Sequence, residues 1–141
     1  MPTYELEIVP RFYETDAQGH ISNVSIAGWF ETARISFLEW LLPADMSPRG
    51  WILASIKIDY VGETFLGAPV NATVTRATVG RTSVTIECEM TQHDKPTVVG
   101  VAVLVHMDPQ TRRPTPLPGE LRTPLEAYQV EGRGQAAAAS D

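Results

Sequence analysis

From Tyr4 to Val9 apolar and charged residues alternate. Tyr4, Leu6 and Ile8 fall on one side and Glu5 and Glu7 on the other, the two-residue period of a half-buried strand that Pro10 ends. The period changes over Asn23 to Leu42. Ile26, Phe30, Ala33, Phe37 and Leu41 follow one another at steps of four, three, four and four, which predicts one stripe of a helix. Ser22 or Asn23 can cap its start and Pro43 stops it. Trp29, Ile35, Leu38 and Trp40 carry the apolar surface further around the cylinder, so the helix is expected to be central and wrapped by other elements.

Beyond a turn-rich stretch from Pro43 to Gly50, four strand-like runs follow. Trp51 to Val61 sets Ile52, Ala54, Ile56, Ile58 and Tyr60 against Lys57 and Asp59. Val70 to Val79 alternates next, and Gly80 with Arg81 turns the chain into Thr82 to Thr91. There Val84, Ile86, Cys88 and Met90 oppose Thr85, Glu87 and Glu89. Asp94-Lys95-Pro96 is the next predicted turn. Val98 to Met107 is apolar on both faces, as suits an interior strand with the helix on one side and another layer on the other. The expected class is therefore α+β: a five-stranded antiparallel sheet around one long helix. One helix cannot cover both faces of such a sheet, so a second copy of the chain is implied, as a homodimer or a dimer of dimers. A Pro-rich extended segment follows Met107, and Glu120 to Tyr128 can form a short helix. From Glu131 the Gly- and Ala-rich composition has nothing to bury. A single domain over residues 1–130 and a disordered tail over 131–141 are expected.

Composition narrows the function classes. The chain has 141 residues, 43% of them hydrophobic and 20% charged, with a net charge of −6. That suits one globular domain and disfavours disorder throughout, a membrane span and any overall attraction for nucleic acid. The single cysteine, Cys88, excludes an intramolecular disulfide and a thiolate zinc cluster. The first twenty residues contain Glu5, Glu7, Glu14 and Asp16 and lack an unbroken apolar stretch, so they do not read as a signal peptide. A cytoplasmic location is expected.

The segment from Arg11 to Ser22 has no period and a dense set of polar groups, and it runs straight into the helix. The first amides of a helix have no intrahelical partners and sit at the positive end of its dipole, so they can hold a carbonyl oxygen that gains negative charge. Asp16 lies just before them. A carboxylate there can attack an acyl carbon or deprotonate a water that does so. Gly19 would let the backbone approach a ligand, while His20 and Asn23 could orient the water or the carboxylate. Each residue also has a plainer reading. Asp16 followed by Gly19 marks an Asx-type turn more often than a catalytic loop, Asn23 can be a helix cap, and His20 an ordinary loop histidine.

Taken together, Glu14-Thr-Asp-x-x-Gly-His-x-x-Asn23 and Trp29-Phe-Glu-x-Ala-Arg34 resemble the hotdog-fold acyl-CoA thioesterases of the hydroxybenzoyl-CoA thioesterase type, and Ile58-Asp-Tyr60 and Gly80-Arg-Thr-Ser83 resemble that family's sheet signatures. The resemblance covers roughly residues 3–107. It implies hydrolysis of an acyl thioester of coenzyme A or acyl carrier protein. Asp16 would be the catalytic carboxylate, and the backbone amide near Asn23 would polarise the thioester carbonyl. Gly19, Ile26 and Trp29 would border the substrate, with Arg81 and Ser83 as further contacts. Ile26 stands where relatives usually have an aromatic residue, which alters the acyl pocket. Another branch of the fold uses a helix glutamate, a role open to Glu31, although Glu31 with Arg34 can equally form an intrahelical ion pair. Coenzyme A enters as part of the substrate, and neither cofactor nor metal is implied. A dehydratase or hydratase of the same fold, or a non-hydrolytic acyl-thioester binding module, is the alternative.

Overall fold

The computed structural model describes residues 2–43 and 50–128. The tail expected from residue 131 lies outside the described residues, as does most of the stretch between Pro43 and Gly50. Five antiparallel strands form one sheet: β1 (Glu5–Ile8), β2 (Trp51–Tyr60), β3 (Val70–Val79), β4 (Ser83–Gln92) and β5 (Lys95–His106), in the spatial order β1-β3-β4-β5-β2. Helix α1 (Asn23–Leu41) lies across one face, and α2 (Gly119–Ala127) joins it at one end. The predicted short helix is therefore present, and Leu121, Leu125 and Tyr128 bury its inner side.

Ser22 rather than Asn23 caps α1: its Oγ accepts from the backbone N–H of Ser25 at 3.2 Å, while Asn23 is the first helical residue. The predicted stripe of Ile26, Phe30, Ala33 and Phe37 is buried, and Trp29 and Leu38 widen it. On β4 the alternation is complete, with Val84, Ile86, Cys88, Met90 and Gln92 facing inward. The interior divides into two clusters. Phe37, Leu38, Trp51, Leu104 and the α2 residues pack around the C-terminal half of α1; Ile21, Ile26, Trp29, Phe30, Met90 and Val98 pack around its N-terminal half. Gly100 lets the Phe30 ring rest on β5, since a Cβ there would lie 2.8 Å from Phe30 Cε1.

Two expectations change. The turn between β4 and β5 is His93-Asp94, not Asp94-Lys95-Pro96, because Gln92 already pairs with Lys95. Both turn residues have positive φ, 55° and 60°, the twist that a two-residue hairpin needs to match its strands. On β2 the single alternating face is broken by a bulge between Leu53 and Ser55. Ile52 pairs with Val105 and Ile56 with Ala102, so these two isoleucines point to opposite faces of the sheet. In the single chain Ile52, Leu53, Ile56 and Tyr60 are all exposed along this edge strand. Interior β5 buries Val98, Gly100, Ala102 and Leu104 beneath α1, while Val99, Val101, Val103 and Val105 on its other face are half-buried.

Candidate active site

The polar segment before α1 folds as two consecutive turns. A 3-10 turn at Phe12–Glu14 comes first. Next, Thr15 pairs with Ile21 as an isolated bridge, and the chain between them reverses at Asp16-Ala17-Gln18-Gly19. The backbone N–H of Gly19 donates to the Asp16 carbonyl at 3.2 Å, and that of Asp16 donates to the His20 carbonyl at 2.8 Å. Gly19 takes φ +82°, a conformation that side chains disfavour. Within this reversal Asp16 Oδ1 accepts from the backbone N–H groups of Gln18 at 2.8 Å and His20 at 3.1 Å. The Asx-type turn is real, and it fixes the carboxylate rather than consuming it. Among the described residues Oδ2 has no hydrogen-bond partner, and the residue is exposed.

The reversal ends at the start of α1. Ser22 uses its side chain on the Ser25 amide and its carbonyl on the Ile26 amide. The N–H groups of Asn23 and Val24 have no partner within the helix and lie at the positive end of its dipole. Along the chain a fixed carboxylate thus precedes two amides without intrahelical partners by seven and eight positions. Such a set can activate water or attack an acyl carbon while stabilising the oxyanion.

His20 contributes its backbone to this turn. Its ring lies elsewhere, with Nε2 3.6 Å from Glu63 Oε1 and the imidazole edge-on to Phe65 at 5.0 Å between centroids. Ile26 is buried in the interior cluster. Trp29 is buried too, and its indole N–H donates to Glu14 Oε2 at 2.8 Å. Oε1 of the same carboxylate accepts from the backbone N–H of Arg11 at 2.8 Å. Glu14, only 7% exposed, therefore ties the start of the 3-10 turn to α1. An open cleft of about 690 Å³ runs between β1 and α1, lined among others by Leu6, Ile8, Glu14, Gly28, Trp29 and Glu31, without Asp16.

Glu31 is an exposed residue of α1, 3.9 Å from Arg34 Nη2, so the predicted intrahelical ion pair is present in loose form. Arg34 itself is 5% exposed, and its Nη1 has no hydrogen-bond partner among the described residues. Burial pulls its guanidinium below the ordinary value, against the opposing effect of Glu31. Burial likewise pushes the neighbouring Cys88 thiol up to about 12, which keeps it protonated and unreactive. Among the described residues no three His, Cys, Asp or Glu side chains stand close enough to hold a metal ion.

Arg81 and Ser83 are not near Asp16. The Asp16 reversal adjoins the 62–68 segment, which Gln92 holds at one end of β4, whereas Ser83 begins that strand. Nine steps at ~3.4 Å each put about 30 Å between the two ends. The Gly80–Ser83 turn packs beside α2, with Arg122 Nη2 donating to the Gly80 carbonyl at 2.8 Å. Two further residues of this region are Glu14, which stands in the quoted motif without a role of its own, and Gln92, which the sequence does not single out. The Arg11-to-Glu14 spacing of a capping box was the available signal for the first. For the second it was the alternation of β4, which continues one step beyond Thr91.

Comparison with known proteins bears on the family and the fold. Residues 10–125 match the model of the thioesterase-like superfamily. The 1,4-dihydroxy-2-naphthoyl-CoA hydrolase of Synechococcus elongatus is 26% identical over 132 residues, covering 89% of this chain and 97% of that protein. Among solved structures, a predicted thioesterase from Bacillus stearothermophilus superposes with a TM-score of 0.82 at 30% identity, covering 92% of this chain and 99% of the other. A thioesterase from Thermus thermophilus, solved with coenzyme A and Zn, gives 0.78 at 28%, covering 87% and 91%. The strand order, the long helix behind the Asp16 reversal and these matches lead to one conclusion: the chain belongs to the thioesterase-like superfamily and is a thioesterase of the hotdog fold.

Proposed function

We propose that the protein hydrolyses an acyl thioester of coenzyme A to a free acid and a thiol, with Asp16 as the catalytic carboxylate. The observation that carries this reading is the Asp16 carboxylate, fixed through Oδ1 and with Oδ2 unpartnered among the described residues, in the turn that leads along the chain into the Asn23 and Val24 amides. The thioester carbonyl would rest on those amides, which strengthen their hold as charge develops on its oxygen. Oδ2 then either removes a proton from the attacking water or itself attacks the carbon to form an anhydride. In both routes the C–S bond breaks, the thiolate leaves and is protonated, and one water is consumed: its oxygen enters the free acid directly, or, when the anhydride is opened at the Asp16 carbonyl, replaces the oxygen that Asp16 passed to the acid. Residues of the chain and water suffice for this chemistry, and coenzyme A enters with the substrate. The choice of coenzyme A over carrier protein is supported by the relatives, one acting on a CoA thioester and one solved with coenzyme A.

The site is completed by a second copy. Three features of this chain support the pairing: β2 is an edge strand, its apolar side chains Ile52, Leu53, Ile56 and Tyr60 are exposed, and the buried Arg34 beside Ile56 leaves Nη1 without an acceptor among the described residues. Antiparallel pairing of β2 with its two-fold mate reverses the second sheet. The mate's Arg81–Ser83 end then lies on the Asp16 side of the first copy, where the nucleotide end of the substrate needs cationic and polar contacts. Gly19 and Trp29 would border the acyl group, and Ile26 would act from behind them. No helix among the described residues is long and apolar enough to cross a membrane. A free, buried cysteine is compatible with the cytoplasm as the site of action.

Thiol release from short, medium, long and aromatic acyl-CoA substrates tests the reading. Asp16→Asn should lower kcat by at least a hundredfold with the fold intact, while Glu31→Gln should retain most activity. Loss of activity in Glu31→Gln with survival in Asp16→Asn would move the chemistry to the helix glutamate. After a single turnover in H₂¹⁸O, label in Asp16 establishes the anhydride route, since the general-base route puts all of the label in the free acid.

A further inference from the structure

We infer that Gln92 is a positioning residue for the Asp16 carboxylate, an inference that rests on the catalytic role proposed for Asp16. Gln92 closes β4 and is 4% exposed, a costly place for a primary amide unless every polar atom is used. All of it is used, on a single segment. Oε1 accepts from the backbone N–H of Phe65 at 3.0 Å; Nε2 donates to the carbonyls of Phe65 at 2.8 Å and Ala68 at 3.0 Å. The carboxamide thus stands in for a peptide group and extends the sheet's hydrogen bonding to a segment outside β2 and β3.

That segment in turn holds the Asp16 reversal. The Thr64 carbonyl accepts from the backbone N–H of Ile21 at 2.9 Å, and Phe65 pairs with His20 as an isolated antiparallel bridge, the two rings meeting edge-on. His20 then closes the path, donating its N–H to Asp16 Oδ1 and accepting from the Asp16 N–H. An interior strand of the sheet is linked to the carboxylate through one side chain and one turn. The near end of the turn has its own anchor, the Thr97 carbonyl, which accepts from Val61 and Gly62 at 3.0 Å each. Gln92 therefore governs the far half, the part in contact with His20 and Ile21. Methionine keeps the volume and removes all three bonds; glutamate keeps an acceptor for Phe65 and sets a second oxygen against two carbonyls.

The test combines kinetics with amide exchange in the full chain. Gln92→Met should lower kcat at least tenfold while KM changes less than twofold, and exchange of the Gln18 and His20 amides, which hold Oδ1, should accelerate at least tenfold. In an Asp16→Asn background the same substitution should cost less than a further twofold, because a residue acting through Asp16 has nothing left to position. Gln92→Glu should behave like Gln92→Met. Unchanged kcat, unchanged exchange at Gln18 and His20, or full additivity with Asp16→Asn overturns the proposal. Failure of both Gln92 variants to fold also overturns it, assigning the residue to stability alone. If Asp16→Asn by itself leaves kcat intact, the catalytic assignment of Asp16 fails, and the exchange measurement still shows whether Gln92 holds the loop.

Discussion

The indole N–H of Trp29 and the Oε2 of Glu14 are 2.8 Å apart, a hydrogen bond between a helix residue and a buried carboxylate fifteen positions earlier. Because Oε1 of Glu14 accepts from the Arg11 amide, this one side chain sets how the segment carrying Asp16 meets α1. Trp29→Phe keeps the ring packing and leaves Oε2 buried without a donor, which costs about 1–3 kcal/mol. Denaturant unfolding should show that loss, and Glu14→Gln should show a smaller one because its amide oxygen can still accept one of the two bonds.

The proposed pairing through β2 would make activity depend on assembly. Ile56→Asp puts a charge into the exposed row of that strand without touching Asp16 or the helix amides. If the proposed pairing holds, light scattering should report a dimer for the unaltered chain and a monomer for the variant, and kcat/KM should fall at least tenfold through loss of the contacts proposed for the mate's Arg81. An active monomer would falsify the shared-site reading.

Tyr128 predicts the alkaline limit of stability. Its hydroxyl donates to the Val74 carbonyl at 2.6 Å and accepts from the Tyr4 N–H at 2.9 Å, joining β1 to β3 beneath α2. Burial raises its pKa above the usual 10.0, with the Tyr4 hydrogen bond opposing. A group whose folded pKa exceeds its unfolded value contributes fully below the unfolded pKa and loses that contribution as pH rises through the folded one. Stability should therefore hold below about pH 10 and decline above it. Tyr128→Phe should flatten that decline and lower stability at neutral pH by about 1–3 kcal/mol.

Gly100 lies beneath Phe30, where a methyl group has no room. Gly100→Ala should destabilise by about 1–3 kcal/mol, measurable as a lowered Tm, because the ring of a packed helix must shift. Phe30→Leu in the same chain should recover part of the loss.

Much of this protein was legible along the chain. The period of Ile26, Phe30, Ala33 and Phe37 located the central helix, alternation located the strands, and the spacing of Asp16 and Gly19 ahead of the helix located the turn that fixes the Asp16 carboxylate. These features are local, governed by backbone geometry over a few residues, so sequence spacing reads them directly. The bulge that splits Ile52 from Ile56 was not legible, because register depends on the partner strand. Nor was the tight His93-Asp94 turn, whose positive φ values follow from the twist of β4 against β5.

Which distant residues meet was decided by tertiary structure alone. Arg81 and Ser83 match family motifs as closely as Asp16 does, yet the length of β4 holds them at the far end of the sheet from it. Gln92 shows the converse. As a lone polar residue at the end of a strand it carries no signature, and its three hydrogen bonds arise only once the 64–68 turn folds over that strand. Sequence by itself determined the chemistry available, since that resides in side chains and in the start of a helix. The fold decided which of those groups share a site, since long-range contacts depend on strand order and register, which no local pattern encodes.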